Sequence, residues 1–466
     1  MLEPLVRNHL PRLQALYDRF PSPARHVLTS ARGWILTQLR YGPETFDTLA
    51  ELRDNEFWNP SQIEAHQLRG LQTSIDHARN TVPFYASYPQ ITIRRREDIQ
   101  SLPILDREAV LHNQESLISQ AIPQHEQIRA STTGTTGASL RVAYTEKLAR
   151  ANWAFLLRQW CWAGIEARGP RITLQGARVV PVNRREPPYW TYNLPERQVL
   201  MSIFHLSDGT AADYLDFLQD HPGKVLEGFP SVLGILADFA LQRDMEIPMR
   251  AIFTSGEPLY PSVREKIERV FQARIFDSYG MTEYCGLVQQ CERGKMHLAP
   301  EYGFLEILSS RGESAKPDEE GDFVWTGFLN RAMPLVRYRI GDRGCWQTGT
   351  CPCGRSFPLV IPTITRESDL LRCSDGRVFS PRALNQILKQ ADGLRSCQFV
   401  YSQEDHVAVR AVAAAGNRRV FDELMRIRAD LQNLLGAHIR VTAELVPAPI
   451  VRPGGKIPLI VNEVDR

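Results

Sequence analysis

The chain has 466 residues, 43% of them apolar and 23% charged, the balance of a globular protein with room for more than one domain. Fifty-five basic residues against fifty-three acidic ones leave a formal charge of +2, which gives no general electrostatic case for nucleic-acid binding. No apolar run approaches bilayer length, and the opening "MLEPLVRNHLPRLQALYDRF" mixes charges into its apolar positions, unlike a secretory signal. Six of the eight cysteines fall between 285 and 373, a cluster that favours reduced thiols or metal ligands and predicts a cytoplasmic protein.

Residues 1–85 are predicted largely helical, from the spaced apolar residues of "LPRLQALYDRF" and "SQIEAHQLRGLQTSIDHAR". "TVPFYASYP" then breaks the helical pattern. Next comes "STTGTTGASL", with Ser131, Thr132, Thr133, Thr135 and Thr136 set around Gly134 and Gly137. It has almost no apolar surface to bury. Its donors suit an oxygen-rich anion such as a nucleotide phosphate, although a polar surface linker has the same composition.

Between 140 and 345, short apolar runs ("RITLQG", "KVLEGFP", "AIFTSGE", "ARIFDSYG", "GFLEIL", "GDFVWTGF") alternate with helical patterns ("LARANWAFLLRQWCWAG", "SVLGILADFALQR", "PSVREKIERVF"). This predicts an α/β architecture: a large domain over 1–365 with mixed sheets flanked by helices. A small α+β domain over 366–466 is expected from "QFVYSQEDHVAVRAVAAA", "RVFDELMRIRADLQNLLG" and "IRVTAELVPA".

Four segments stand in order: "STTGTTGASL" at 131, "DSYGMTE" at 277, "VRYRIGDRG" at 336 and "PGGKIPLIVNEV" at 453. The chain in this respect resembles the adenylate-forming superfamily of acyl-CoA synthetases, in its phenylacetate–CoA ligase branch with the capsule-biosynthesis relatives. The resemblance runs from about residue 80 to 466. It implies that residues 131–137 grip the β- and γ-phosphates of ATP, in a loop that is not a Walker loop because no Lys-Ser/Thr pair follows. In "DSYGMTE" (Asp277, Ser278, Tyr279, Gly280, Met281, Thr282, Glu283) it implies that Tyr279 packs on adenine, Thr282 contacts the α-phosphate and Glu283 ligates Mg²⁺. Asp342 would receive the ribose hydroxyls, and "SGEP" (Ser255, Gly256, Glu257, Pro258) would border the nucleotide.

Arg366 matches the arginine that follows the large domain, and Ser368 stands where the family's hinge aspartate falls. Lys456 matches the lysine that the mobile small domain brings to the α-phosphate, and the bland reading of it is a solvated surface charge. For the acyl pocket, Phe229, Pro230 and Ser231 of "EGFPS" match the family's lining segment. Phe204 and His205 of "SIFHLS" are candidates for a wall and a polar contact, though a lone histidine is more often structural. The implied reaction is ATP- and Mg²⁺-dependent acyl-adenylate formation from an aromatic or other apolar acid. Acyl transfer to CoA follows, with an amine or a carrier-protein thiol as the alternative acceptor. A non-catalytic, zinc-stabilised nucleotide-binding scaffold is the rival from another class.

"CERGKMH" sets Cys291 six residues before His297, and "CPCG" sets Cys351 two before Cys353. Two short pairs of this kind can assemble a tetrahedral Cys₃His zinc site, and four protein ligands make it structural rather than catalytic. Cys285 and Cys345 stand near enough in sequence to replace one ligand, and the alternatives are four buried thiols without metal or redox cysteines.

Overall fold

A computed structural model describes residues 17–131, 140–175, 179–181, 184–207 and 209–363, and, further on, 371–372, 378–379, 384, 387–388, 394–403, 405–413, 420–451 and 457–463. The chain divides into two units, one of residues 1–172, 190–200 and 276–362, the other of 173–189, 201–275 and 363–466.

In the first unit the helices form where the capping chemistry directs. Asn59 accepts from the Gln62 amide while the Gln62 side chain accepts from the Asn59 amide, and Pro60 opens the helix Pro60–Thr81. Thr145 caps the helix Glu146–Trp162 through the Leu148 amide. That helix and Pro43–Asp54 bury Leu49, Leu52, Ala154, Phe155 and Leu157 with Leu287 and Tyr302 in one cluster. The helix Ser22–Arg40 precedes them. Arg40, Tyr41 and Arg171 all converge on the fully buried carboxylate of Glu196, at 3.2, 3.3 and 2.5 Å, so that this anion is multiply paired.

The sheet of this unit is antiparallel through neighbours Gly303–Leu308, Gly321–Gly327, Tyr338–Gln347, Leu359–Pro362, Met296–Leu298, Leu287–Gln290 and Ile275–Gly280. A two-residue strand, Leu105–Asp106, adds to it in parallel, Leu105 opposite Tyr338 and Asp106 opposite Arg339. Trp325 is wholly buried, and a Cβ on Gly286 would lie 2.2 Å from its Cε3, so only glycine admits the indole there. Ser131 ends the strand Ile128–Ser131, which pairs antiparallel with Arg141–Tyr144; residues 132–137 of the hydroxyl-rich loop lie outside the described residues.

In the second unit the strands Val225–Gly228 and Ala251–Ser255 run parallel, Leu226 opposite Ile252. The helices Pro230–Leu241 and Pro261–Phe271 are joined by a Lys266–Asp238 ion pair of 2.7 Å. A four-stranded sheet follows, in the order Arg440–Leu445, His406–Ala413, Leu394–Gln403, Ile460–Asn462, with an antiparallel centre and parallel flanks. The helix Val420–Leu435 buries Leu424, Ile427, Leu431 and Leu435, a single 3.6-period stripe, into the cluster of Phe399, Val407 and Val409. The α/β class, the large mixed sheet with flanking helices and the C-terminal α+β sheet are as the alternation of patterns predicts. The segments "GFLEIL" and "PSVREKIERVF" form a strand and a helix over their whole lengths.

Candidate active site and metal centre

The strand Ile275–Gly280 leads into a turn closed by the Tyr284 amide on the Met281 carbonyl at 3.1 Å, with Tyr284 at φ 56°. The turn exposes Gly280 and Thr282 while it buries Glu283. Upstream, the Asp277 amide donates to Gln290 Oε1 at 3.1 Å and its carbonyl accepts from Gln159 at 2.8 Å, so the strand end is held on both sides. Ser278, Tyr279 and Gly280 pair with Gln289, Val288 and Leu287.

Tyr279 is buried. Its ring stacks on Trp325 at 6.3 Å and meets Phe323 edge-on at 5.7 Å. Its hydroxyl donates to Asp342 Oδ2 at 2.9 Å. Burial, reinforced by the Asp342 charge, holds this phenol far above its ordinary range, so it is a donor at any working pH. Along Tyr338–Gln347, Tyr338, Ile340, Asp342 and Gly344 are buried while Arg339, Gly341 and Arg343 are less so. The alternation therefore puts Tyr338 on the side that carries Asp342.

Tyr338 donates to Glu283 Oε1 at 3.4 Å, and Arg107 Nη1 lies 3.7 Å from the same oxygen. Arg107 opens the short helix Arg107–His112, capped by Asp106 on the Ala109 amide at 2.7 Å. The motifs do not name Arg107. Nothing in "ILDREAV" marks it, because its partner lies far along the chain and only the parallel pairing of Leu105 with Tyr338 brings the two together. Tyr338 had a signal: it sits four residues before Asp342 in a strand-like run.

As a magnesium site, Glu283 fits as one half. Mg²⁺ takes one or two carboxylates and completes its shell with water and substrate phosphates. A single buried carboxylate matches that mode and does not match an all-protein cage.

In the second unit, Glu257 Oε2 accepts from the Ser231 amide at 3.1 Å. Ser231 follows Pro230 in the first turn of Pro230–Leu241, where amides have no intrahelical acceptor and the helix dipole favours an anion. One carboxylate thus ties "EGFPS" to "SGEP". Gly256, at φ 78°, makes the turn that brings Glu257 back, between half-buried Ser255 and Pro258. Phe229 precedes that helix, and Phe204 is 41% exposed. His205 is engaged at both nitrogens: Nδ1 with Ser202 Oγ at 2.7 Å, Nε2 with the Pro181 carbonyl at 3.0 Å. Its ring stacks on Tyr189 at 5.3 Å, and Tyr189 stacks on Tyr214 at 5.8 Å. These contacts make it a node of that cluster. Arg366, Ser368 and Lys456 lie outside the described residues.

The cysteine and histidine pairs of the first unit meet. One ligand atom from each of Cys291, His297, Cys351 and Cys353 lies within 4.8 Å of all the others. Cys291 Sγ is 3.6 Å from Cys351 Sγ, and Cys353 Sγ is 3.5 Å from His297 Nε2, spacings that a tetrahedral ion with bonds of about 2.0–2.3 Å requires. Cys285 and Cys345 are not members of the cluster.

Each cysteine segment makes a tight knuckle: the Gly294 amide donates to the Cys291 carbonyl, and the Gly354 amide to the Cys351 carbonyl. Both glycines have positive φ, 78° and 84°. His297 Nδ1 donates to the Phe357 carbonyl at 3.3 Å, which leaves Nε2 as the lone-pair nitrogen facing the sulfurs. Burial lowers the imidazole to about 4 and raises the Cys351 thiol to about 12. The histidine is therefore a ready ligand, and the Cys291 and Cys351 thiols need a cation to ionise them.

Around the cluster, Arg355 donates to both oxygens of Glu292 at 2.9 Å and to Glu56 Oε2 at 2.9 and 3.2 Å, with its guanidinium 4.4 Å over Trp162. On the same indole lies the fully buried Arg158, itself paired with Glu301 at 2.9 Å.

Comparison with known proteins gives a consistent picture. Residues 196–327 match the family model of AMP-binding enzymes. Protein CapK of Staphylococcus aureus is 22% identical over 97% of this chain and 100% of its own length. The phenylacetate–coenzyme A ligase of Pseudomonas putida is 23% identical over 70% of this chain and 76% of its own. Among solved structures, 2-hydroxyisobutyryl-CoA ligase in the postadenylation state, in complex with R3-HIB-AMP, shares the fold with a TM-score of 0.68. It is 18% identical, over 88% of this chain and 91% of that one. No helix among the described residues is long and apolar enough to cross a membrane.

Proposed function

The chain belongs to the adenylate-forming superfamily, as an AMP-forming carboxylate ligase of the phenylacetate–CoA ligase-like branch, and from that premise we propose that it activates an aromatic or other apolar carboxylic acid and passes the acyl group to the thiol of CoA. The observation that carries this reading is the pairing of Tyr279 with Asp342 beside the buried carboxylate of Glu283, three residues that the motif order assigns to adenine, ribose and magnesium.

In this reading the acid's carboxylate attacks the α-phosphorus of ATP and pyrophosphate leaves. The reacting groups are both anionic, so the site must supply positive charge and donors where negative charge develops. Mg²⁺ on Glu283 would screen the phosphates, and Thr282, exposed at the turn, would donate to the α-phosphate. Lys456 would place its ammonium between the α-phosphate and the attacking oxygen. Thr132, Thr133, Gly134, Thr135, Thr136 and Gly137 would hold the outer phosphates. Asp342 would bind the ribose with one oxygen already fixed by Tyr279. In the second unit, Phe229, Ser231 and Phe204 would supply apolar and small-polar surface for the acyl group, with Glu257 accepting from the Ser231 amide. Zn²⁺ on Cys291, His297, Cys351 and Cys353 would serve stability alone, since four protein ligands leave no open position.

The test is ATP–pyrophosphate exchange with Mg²⁺ across a panel of carboxylic acids, followed by product analysis with CoA, amines and a carrier-protein thiol. Acid-dependent exchange with AMP as the nucleotide product is expected. Formation of ADP, or no exchange by folded, zinc-loaded protein over a broad panel, would overturn the reading.

A further inference from the structure

We propose that Arg107 is a positioning residue that makes magnesium binding at Glu283 conditional on the triphosphate: its guanidinium is the counter-ion of that carboxylate in the free protein and becomes a phosphate ligand once metal and ATP arrive together. The proposal rests on the reading of Glu283 as the magnesium carboxylate.

The geometry is specific. Glu283 is 4% exposed, and a carboxylate so buried requires a compensating charge or donors. Arg107 Nη1 stands 3.7 Å from Glu283 Oε1, and Tyr338 donates to that same oxygen at 3.4 Å. Guanidinium and phenol thus meet at one carboxylate oxygen. Arg107 is nevertheless 28% exposed. Its backbone is fixed by the parallel pairing of Leu105 and Asp106 with Tyr338 and Arg339, and by the Asp106 cap. The base of the side chain is therefore anchored while its head can turn.

A dication placed on Glu283 would come within a few ångströms of this guanidinium. In a partly buried setting that repulsion far exceeds its value in water, so Mg²⁺ alone is disfavoured. Add a triphosphate and the sign changes. The phosphates bring up to four negative charges that would offset a metal held at Glu283, and the planar, always cationic guanidinium would find phosphate oxygens that it can bind with two parallel donors. Arg107 thus converts two separate binding events into a coupled one. Coupling between ligands is reciprocal, so Mg²⁺ must raise the affinity for ATP by the same factor by which ATP raises the affinity for Mg²⁺. Lysine would supply the charge without the two parallel donors.

The experiment measures Mn²⁺ binding by electron paramagnetic resonance, without and with ATP, and ATP binding by calorimetry, without and with Mg²⁺. It uses zinc-loaded wild type and the variants Arg107→Gln, Arg107→Lys and Glu283→Gln, the last defining binding at other positions. Wild type should bind Mn²⁺ at Glu283 only when ATP is present. Arg107→Gln should bind Mn²⁺ alone about tenfold or more tighter than wild type, while its affinity for ATP with Mg²⁺ falls and the coupling shrinks by about the same factor. Arg107→Lys should recover most of the coupling. Tight Mn²⁺ binding by nucleotide-free wild type at Glu283 overturns the proposal whatever the variants do, which keeps it testable if Arg107→Gln fails to fold. Unchanged coupling in folded Arg107→Gln overturns it as well and makes Arg107 a structural partner. Absence of any Glu283-dependent metal binding with ATP in wild type instead rejects the magnesium role of Glu283 itself.

Discussion

The cysteine–histidine cluster and the Glu283–Asp342 patch sit in the same unit and are prepared in opposite ways. In the cluster all four ligand atoms lie within 4.8 Å of one another, the histidine is fixed by Phe357, and burial raises the thiols of Cys291 and Cys351. Four protein ligand atoms at these spacings suit an ion that stays. At the patch, the carboxylates are occupied by the protein's own partners, Arg107 and Tyr338 for Glu283 and Tyr279 for Asp342. In the proposed function such partners keep the buried anions tolerable until a ligand replaces them, whereas a permanent ion calls for ligand atoms already gathered.

The comparison breaks most sharply at Cys353. Cys353→Ser removes a ligand that no neighbour can replace, and loss of a structural metal is among the causes of the largest single-residue losses, about 4 kcal/mol or more. Metal content near zero and a large fall in Tm are expected, with the affinity for ATP per folded molecule little changed. Chelation of wild type should reproduce the stability loss. A silent variant in metal-free protein would reduce the cluster to buried thiols.

Glu283→Gln should do the reverse. The amide keeps shape and burial but loses the charge that Mg²⁺ needs, and removal of one preorganised electrostatic group typically costs about 10²–10³ in rate. Adenylation should fall by that factor while Tm holds or rises, because Arg107 is the more exposed partner and can turn to water. A Tm loss comparable with that of Cys353→Ser would mean that the patch is structural as well, and the contrast would collapse.

These two regions also differ in how far the sequence discloses them. The Cys291, His297, Cys351 and Cys353 cluster is legible because the knuckle is a local device: short spacing, a glycine that permits positive φ, and residue types that gather as soft ligands do. Tyr279, Glu283 and Asp342 are legible only because ordered motifs resemble a family. What holds them is another matter. Arg107, Tyr338, Gln159 and Trp325 come from distant segments, and no local periodicity announces a contact made by strand pairing. Arg355 lies two residues after Cys353, yet its meaning depends on Glu56, some three hundred positions earlier. The helices and strands follow from alternation and caps, since those are nearest-neighbour physics. The fate of His205 does not, because only packing decides that Ser202 and Pro181 take both of its nitrogens.

A smaller effect is expected at Asp342. Asp342→Asn keeps an oxygen for the Tyr279 hydroxyl but replaces an anion by an amide, one of whose atoms is a donor and cannot accept from a ribose hydroxyl. Nucleotide affinity should weaken about tenfold, the equivalent of about 1.4 kcal/mol and one charge-assisted hydrogen bond. The comparison of ATP with 2′-deoxy-ATP sharpens the point. If Asp342 reads the ribose, the variant should discriminate less between them than wild type does. Equal discrimination in both proteins would move the ribose contact elsewhere.

The smallest effect should come from Glu56, and it tests whether the metal centre reaches beyond its own ligands. Arg355 sits at the end of the second knuckle, held by Glu292 from the first knuckle and by Glu56 from the 3₁₀ turn Asn55–Phe57. With a metal in place both knuckles would be rigid, so Arg355 would be fixed and Glu56 would gain a fixed partner. Without it the knuckles are only loosely joined, and the Glu56 contact must also order Arg355, which cancels part of its gain. Glu56→Gln keeps one acceptor oxygen but no charge, and the Glu292 pair remains, so the cost should be about 1 kcal/mol, or about 2–3 °C in Tm. In chelated protein the same substitution should cost measurably less. A double-mutant cycle of Glu56→Gln with Cys353→Ser reads this directly. Strictly additive losses would mean that the cluster stabilises only itself, and a non-additive term would show that the metal helps to hold the N-terminal helices in place.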